Sequence, residues 1–519
     1  MKKVDKKVIV KKTMQVAATT LVSRFLGLAR EILFGRYIGV GIVADAFNTA
    51  FMLPNSLRKV FAEGALTSAL VPTYITMMKH KTQKQADGLI TLFFVIFESL
   101  LLLLCFIVIK KASATVTLIM PGFSPEQIAA TVPLLKILMP FIFFISVSAL
   151  LAGPLNAVHH FFVPAVGPVL LNVVFIISLV LFHSFHWPID YFCYGILFGG
   201  VLQCLMHIGM YMHLGFGLAL PDKVSVHYFL QALGKFIMGF FSASVMEIGL
   251  FIDQGFASYL PIGSVTILKY ASRFMAIPLG VFGVAFSTIL LPHFTRTKLE
   301  NPDKMSFYIF ESLKLVLWVT IPATLVLMFL SEDIFITFFV SKTSKFPVER
   351  VSEAAGVLVA FLVGLCFFSL NKLLFSVYYA LHDMVRPMII SIVGTLLNIA
   401  ANWYFLSFGG VGIAYATTIS GVAQTLLCFY FLHRSHALSF SFSQLLKFCC
   451  IFMAHVAVTA SIFWLLFSLV IRGLSFVSWG HFFVQEFGFW LWLCPLMALF
   501  YGVLYYARRW FTLQIYFLD

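Results

Sequence analysis

The stretch Ser23–Thr67, SRFLGLAREILFGRYIGVGIVADAFNTAFMLPNSLRKVFAEGALT, has the length and oiliness of two membrane-crossing helices. It nevertheless carries Arg24, Arg30, Glu31, Arg36, Asp45, Arg58, Lys59 and Glu63. A charge near the bilayer centre costs about 2.5–3.5 kcal/mol on insertion scales. So many in one helical pair must either face a hydrated cavity inside a bundle or lie at helix ends. Arg36 and Lys59 read as helix-end residues whose long stems reach the headgroups. Arg24 and Arg30 read as cavity residues, and Arg58 stands open between the two roles.

Working outward, composition sets the class. With 61% hydrophobic and 11% charged residues, a chain of 519 residues is not an ordinary soluble protein. Its net charge of +14 is better explained by basic loops than by nucleic acid. Apolar runs recur at about 13–37, 43–77, 88–110, 127–153, 163–185, 190–214, 229–259, 264–293, 306–330, 352–380, 385–407, 410–433, 445–471 and 484–507. The expected fold is therefore an all-α polytopic membrane protein with about 14 helices. The longest stretch outside the runs, Ser331 to Val351, leaves no room for a soluble domain.

Basic residues fall mainly on one side if the Lys-rich N-terminus is cytoplasmic, including Lys79, Lys81, Lys84, Arg296, Lys298, Arg434, Arg508 and Arg509. Lys342 and Arg350 fall on the other side, and both termini are expected inside. The N-terminal run lacks a small-residue cleavage site and is expected to be retained as a first span. The eight cysteines sit mostly in apolar runs without metal-ligand spacing, so neither a metal nor a disulfide framework is expected. There is no G-x-x-x-x-G-K-[ST] loop and no catalytic grouping, so neither a nucleotide cofactor nor enzyme chemistry is indicated.

An internal echo links AFNTAFMLPNSL (Ala46–Leu57) to YASRFMAIPLGV (Tyr270–Val281), with Pro54 and Pro278 in matching places. The repeat predicts two six-helix bundles around a central cavity. The expected divisions are a basic N-terminus at 1–12, bundles at 13–220 and 221–435, and two additional helices with a cytoplasmic tail at 436–519. Charges inside the runs also cluster twice: in the opening pair, and as Lys235, Glu247, Asp253, Lys269 and Arg273 in the seventh and eighth runs. Lys269 and Arg273, four apart, share a helix face. The arginine fork matches phosphate oxygens in a way a lysine cannot. A cavity holding Arg24, Arg30 and Arg273 therefore suits a phosphate-bearing substrate. The alternative is internal pairing, such as Arg30 with Asp45, Lys269 with Asp253, or Glu247 with Lys235. Lys136 and Lys314 read as snorkelling residues.

The segments SRFLGLAREILFGRYIG, ADAFNTAFMLPNSLRKVFAEGAL, MPGF (Met120–Phe123), LLKILMPF (Leu134–Phe141), VPAVGPVLLN (Val163–Asn172) and GVFGVAFSTILLP (Gly280–Pro292) resemble the MurJ (MviN) lipid II flippases. These bacterial inner-membrane proteins belong to the multidrug/oligosaccharidyl-lipid/polysaccharide exporter superfamily. The resemblance is strong over about 20–295, weaker to about 435 and compositional beyond. It implies export of the undecaprenyl-diphosphate-linked peptidoglycan precursor by alternating access, with lipid II and membrane lipids as partners. A coupling cation and cell-wall synthesis proteins are further candidate partners. It implies substrate-binding roles for Arg24, Arg30, Arg58, Arg273 and Asp45; Lys269, on the face of Arg273, is a further substrate-binding candidate, and Glu247 and Asp253, where other members carry neutral amides, are candidates for an ion or charge-balance role. One departure is Ser272, where some members carry Asp before the arginine. The rival readings are an exporter of another polyprenyl-linked oligosaccharide, a drug or cation antiporter of the same superfamily, a polyprenyl-phosphate enzyme and a non-transporting scaffold. An antiporter cavity should be acidic, and an enzyme should show a carboxylate cluster at the membrane edge.

Overall fold

The computed structural model describes residues 6–341, 344–434, 442–475 and 488–518. The first five residues of the basic N-terminus, Lys342, His436 and the start of the expected run 484–507 lie outside these, as do the side chains of Lys6 to Lys12. Every described element is helical. In order they are α1 (Lys6–Tyr37), α2 (Ile42–Leu57), α3 (Leu66–His80), α4 (Gln83–Phe93), α5 (Ser99–Lys110), α6 (Ala112–Ile119), α7 (Pro125–Leu138), α8 (Phe141–Ala157), α9 (Phe162–Ser184) and α10 (Ile189–His213). There follow α11 (Lys223–Ala257), α12 (Ser264–Pro278), α13 (Ala285–Glu300), α14 (Met305–Phe329), α15 (Ser331–Phe339), α16 (Val351–Ala380), α17 (Val385–Phe405), α18 (Gly409–Arg434), α19 (Phe442–Ser475) and α20 (Phe489–Ala507).

Among the described residues, ten helical stretches are long and apolar enough to cross a membrane, so the chain is a multi-pass helical membrane protein. One of them, Val385–Arg434, spans both α17 and α18, which are parted where Gly409 takes a φ of 67°. Helices α1 and α11, the more charged long helices, are not among the ten.

Local chemistry explains the helix starts. Thr82 with Gln85, and Ser124 with Gln127, each form a reciprocal capping box, and Pro125 opens α7. Asp222 accepts from the Ser225 amide and caps α11. Pro54 lies in α2, and a π-helical stretch, Arg58–Ala65, joins α2 to α3. Pro278 ends α12, and a π-helical turn, Leu279–Val284, leads into α13. The same order of proline, π-helical turn and continuing helix thus occurs at both places where the sequence echoes itself. A third π-helical turn, Phe94–Glu98, joins α4 to α5.

The chain divides into two compact units, Met1–Thr266 and Ile267–Asp519. The division falls inside α12, and α11 packs within the first unit. Phe229 meets Phe93 at 4.9 Å, Phe236 meets Phe97 at 4.6 Å, and Ser225 donates to the Gln85 carbonyl at 2.8 Å.

In lipid, helices gain little by hiding apolar surface from one another, so close packing and interhelical hydrogen bonds hold them together. The first unit packs Phe34, Phe47, Phe175 and Phe192 with centroid separations of 4.9–6.1 Å. Gly200 lets Phe141 approach so closely that an added Cβ would sit 2.9 Å from its ring. In the second unit Asn371 donates to the Gly421 carbonyl at 3.0 Å and accepts from Thr425 at 2.8 Å, stitching α16 to α18. Residues 508–518 fold back onto that unit: Tyr516 N–H donates to Glu311 at 2.8 Å, and Ile515 is fully buried. Lys314, expected to snorkel, instead pairs with Glu311 at 2.6 Å. Its side chain lies beneath the returning tail, donating also to the Gln514 carbonyl at 3.4 Å.

Candidate functional site

Helix α1 presents two arginines in different states. Arg30 is held from three directions. One nitrogen donates to Glu31 at 2.8 Å, another donates to the Asn172 side-chain oxygen at 3.2 Å, and the guanidinium lies 4.5 Å from the Phe175 ring centre. Asn172 also donates to the carbonyl and hydroxyl of Ser23, at 3.1 and 3.3 Å. One α9 side chain thereby fixes both α1 and the arginine on it. The side chains of Arg30 and Glu31 are only 16% and 14% exposed, so both charges are largely desolvated and oriented. Arg24 is exposed and makes no hydrogen bond or ion pair among the described residues. The pair therefore offers one rigid guanidinium and one adaptable one.

Asp45 meets the start of α12. It is 1% exposed, and its carboxylate accepts from Gly263 N–H at 2.6 Å, Thr266 N–H at 3.0 Å and the Thr266 hydroxyl at 2.7 Å. Those amides lie on the residue just before α12 and in its first turn, where no intrahelical acceptor exists. Asp45 thus caps α12 from another helix, with its negative charge at the positive end of the helix dipole. Asn48, one turn on, donates to the same Thr266 hydroxyl at 3.0 Å. Gly263 adopts a φ of 93°, a conformation suited to glycine, which brings its N–H to the carboxylate.

The π-helical stretch after α2 positions the next charges. Arg58 donates from two nitrogens to Asn55, at 3.3 and 3.2 Å. Lys59, expected at the headgroups, instead pairs with Glu247 of α11 at 3.0 Å, and Ser56 donates to the same carboxylate at 2.7 Å. The charge balance expected of Glu247 is thus supplied by Lys59, with α11 laid against the π-helical stretch. Asp253, farther along α11, is buried. The Glu63 side chain lies outside the described residues.

In the second unit, Lys269 is half-buried and Arg273 exposed on α12, and Ser272 donates to the Lys269 carbonyl at 2.9 Å. No trio of His, Cys, Asp or Glu able to hold a metal occurs among the described residues. Sequence reasoning missed Asn172 and Phe175 as arginine partners. The available signal was Asn172 itself, an amide inside the apolar run 163–185.

A family model described as "Lipid II flippase MurJ" matches residues 34–483. Among relatives, a "Probable lipid II flippase MurJ" of Rhizobium tropici is 32% identical over 439 residues, covering 82% of this chain and 81% of that one. A protein of the same description from Buchnera aphidicola subsp. Acyrthosiphon pisum (strain APS) is 29% identical, with 88% and 90% covered. A solved structure described as "Lipid II flippase MurJ, inward closed conformation" superposes with a TM-score of 0.78 at 27% identity, covering 96% of this chain and 99% of that one. An inward-facing multidrug resistance MATE transporter of the MOP superfamily shares the fold, with a TM-score of 0.67 at 13% identity over 82% and 99%.

Proposed function

The chain belongs to the lipid II flippase MurJ family, and from that premise we propose that it moves lipid II from the cytoplasmic to the outer face of the bacterial inner membrane by alternating access. It is a transporter and not an enzyme. In this reading α1, α2 with α3, and α11 cross the membrane along with the more apolar helices, for fourteen crossings with both termini cytoplasmic.

The observation that carries the substrate reading is the state of the α1 arginines. Arg30 is braced by Glu31, Asn172 and Phe175, while Arg24, six residues earlier on the same helix, has no protein partner among the described residues. A desolvated, oriented guanidinium and a second, adaptable one on the same helix favour a diphosphate, whose oxygens match the planar fork. Arg58 and, in the second unit, Arg273 and Lys269 are further candidates for the lipid head. Asp45 serves the site indirectly, by holding the start of α12.

Two negative charges moved outward in a cell negative inside run down the potential, worth about 4.6 kcal/mol per 100 mV. Asp253 is the candidate for binding a cation during the return step.

The test uses cells depleted of their own flippase and expressing this chain. Lipid II exposed on the outer face is measured with an added hydrolase that cannot cross the membrane. Cleavage restored by the wild type and lost in Arg24→Ala and Arg30→Ala supports the reading. Precursor that accumulates uncleaved despite normal protein levels overturns it. Collapsing the membrane potential at fixed pH and sodium gradients, in wild type and Asp253→Asn, separates potential from cation coupling.

A further inference from the structure

Glu98 is a carboxyl that the lipid reading does not use. It closes the π-helical turn Phe94–Glu98, near the middle of the 28-residue stretch Gln83–Lys110 that crosses the membrane. It is 3% exposed. One oxygen accepts from the Ser146 hydroxyl of α8 at 2.7 Å. The other is fully buried and has no hydrogen-bond partner among the described residues.

Among the described residues no basic side chain bonds to Glu98; Lys235 of α11, next to the Phe236 that packs on Phe97 at 4.6 Å, is exposed. Helix α8 carries no ionisable side chain at all. The nearest titratable groups are Cys105 on α5 and Cys204 on α10, both buried thiols. His207 lies one turn beyond Cys204 and is tied to the Gln203 carbonyl at 2.8 Å. Asp87 on α4 is about three turns away, and Lys84 and Lys110 lie near the ends of the stretch.

An ionised carboxylate here would be a full charge in a low-dielectric interior, supported by one neutral hydroxyl. Such a charge costs far more than a neutral polar group. The neutral acid needs only a proton on the unpartnered oxygen, and it keeps the Ser146 bond. A π-helical turn is also where a helix can adjust its register at small cost, and such turns gather at functional sites.

We propose that Glu98 is a proton-binding site in the membrane interior of the first unit. It holds a proton while packed against Ser146 and exchanges it when water reaches the π-helical turn. The site stands independently of the lipid reading, because proton occupancy is read on the purified chain without lipid II.

The experiment is infrared difference spectroscopy of the full-length protein in nanodiscs, wild type against Glu98→Gln, across a pH series. Glutamine preserves the shape and the Ser146 contact, so the variant should fold. Glu98→Asp, which withdraws the carboxyl by one methylene, is the second variant. The expected result is one carboxylic-acid C=O band per chain at pH 7, absent in Glu98→Gln and shifted in Glu98→Asp. It should give way to carboxylate bands at higher pH, with the acid-to-carboxylate ratio falling about tenfold per pH unit. A carboxylate signal already present at pH 7 overturns the proposal. An acid band that never titrates before the protein unfolds also overturns it, since Glu98 would then be a permanent hydrogen-bonding group.

Discussion

Replacing Asp45 with alanine tests whether this residue acts as a remote helix cap. Three donors converge on its carboxylate at 2.6–3.0 Å, two of them first-turn amides of α12 or its preceding residue. Hydrogen bonds to a charged group contribute about 1.5–3 kcal/mol each. Because one carboxylate serves all three, the terms do not add in full. Removing it should cost about 3–5 kcal/mol, the range for breaking a buried charged network. Asp45→Asn keeps one acceptor oxygen and should cost about half as much, roughly 1.5–3 kcal/mol. The assay is thermal unfolding of purified protein in nanodiscs, followed by tryptophan fluorescence and helical circular dichroism. At about 2–4 °C per kcal/mol, the midpoint for Asp45→Ala should fall by roughly 10 °C. Export in cells should fall only as far as the amount of folded protein falls. A variant that unfolds at the wild-type temperature yet exports nothing would refute the cap and place Asp45 among the substrate or ion ligands.

Arg30→Lys should lose most export, because an ammonium cannot reach Glu31 and Asn172 together while lying flat on Phe175. Asn172→Ala should cut export about tenfold with normal protein levels, one lost positioning hydrogen bond being worth about 1.5 kcal/mol, and the protected-hydrolase assay reads both. Lys59→Ala and Glu247→Ala should couple by only about 0.5–1 kcal/mol in a double-mutant cycle of unfolding, since the Lys59 side chain remains 33% exposed. Asp333, in the short helix α15, has its carboxyl pushed up to about 6 by burial and by neighbouring Glu332. Its folded value lies above its ordinary value of 3.8, so the native state holds the proton more tightly. Stability should fall as pH rises from about 4 to about 6 and level off beyond. Asp333→Asn should flatten that part of the curve when unfolding midpoints are compared across the pH series.

The membrane class and the helix positions were legible because apolar length and turn residues are local signals. Pro54 and Pro278 stand out in any reading, and the structure shows each followed by a π-helical turn. The arginines were legible for a related reason: a guanidinium in an apolar helix is costly enough to mark itself. Their partners were not. Whether Arg30 meets Asp45 or Asn172 depends on which faces of α1, α2 and α9 come together, and no spacing within one helix contains that information.

By itself, the sequence determined a polytopic helical protein with arginines inside apolar helices, because hydrophobic length and charge cost act within single segments. Only the tertiary structure decided the role of each charge. It set Asp45 at the start of α12, Lys59 against Glu247, and Lys314 against Glu311 beneath the returning tail. It also left Glu98 with one unpartnered oxygen in the membrane interior. The physical reason is range. Burial preference is a property of each residue, whereas a hydrogen bond or ion pair needs two groups within about 3 Å. Residues such as Asn48 and Thr266, 218 positions apart, meet only when the chain has folded.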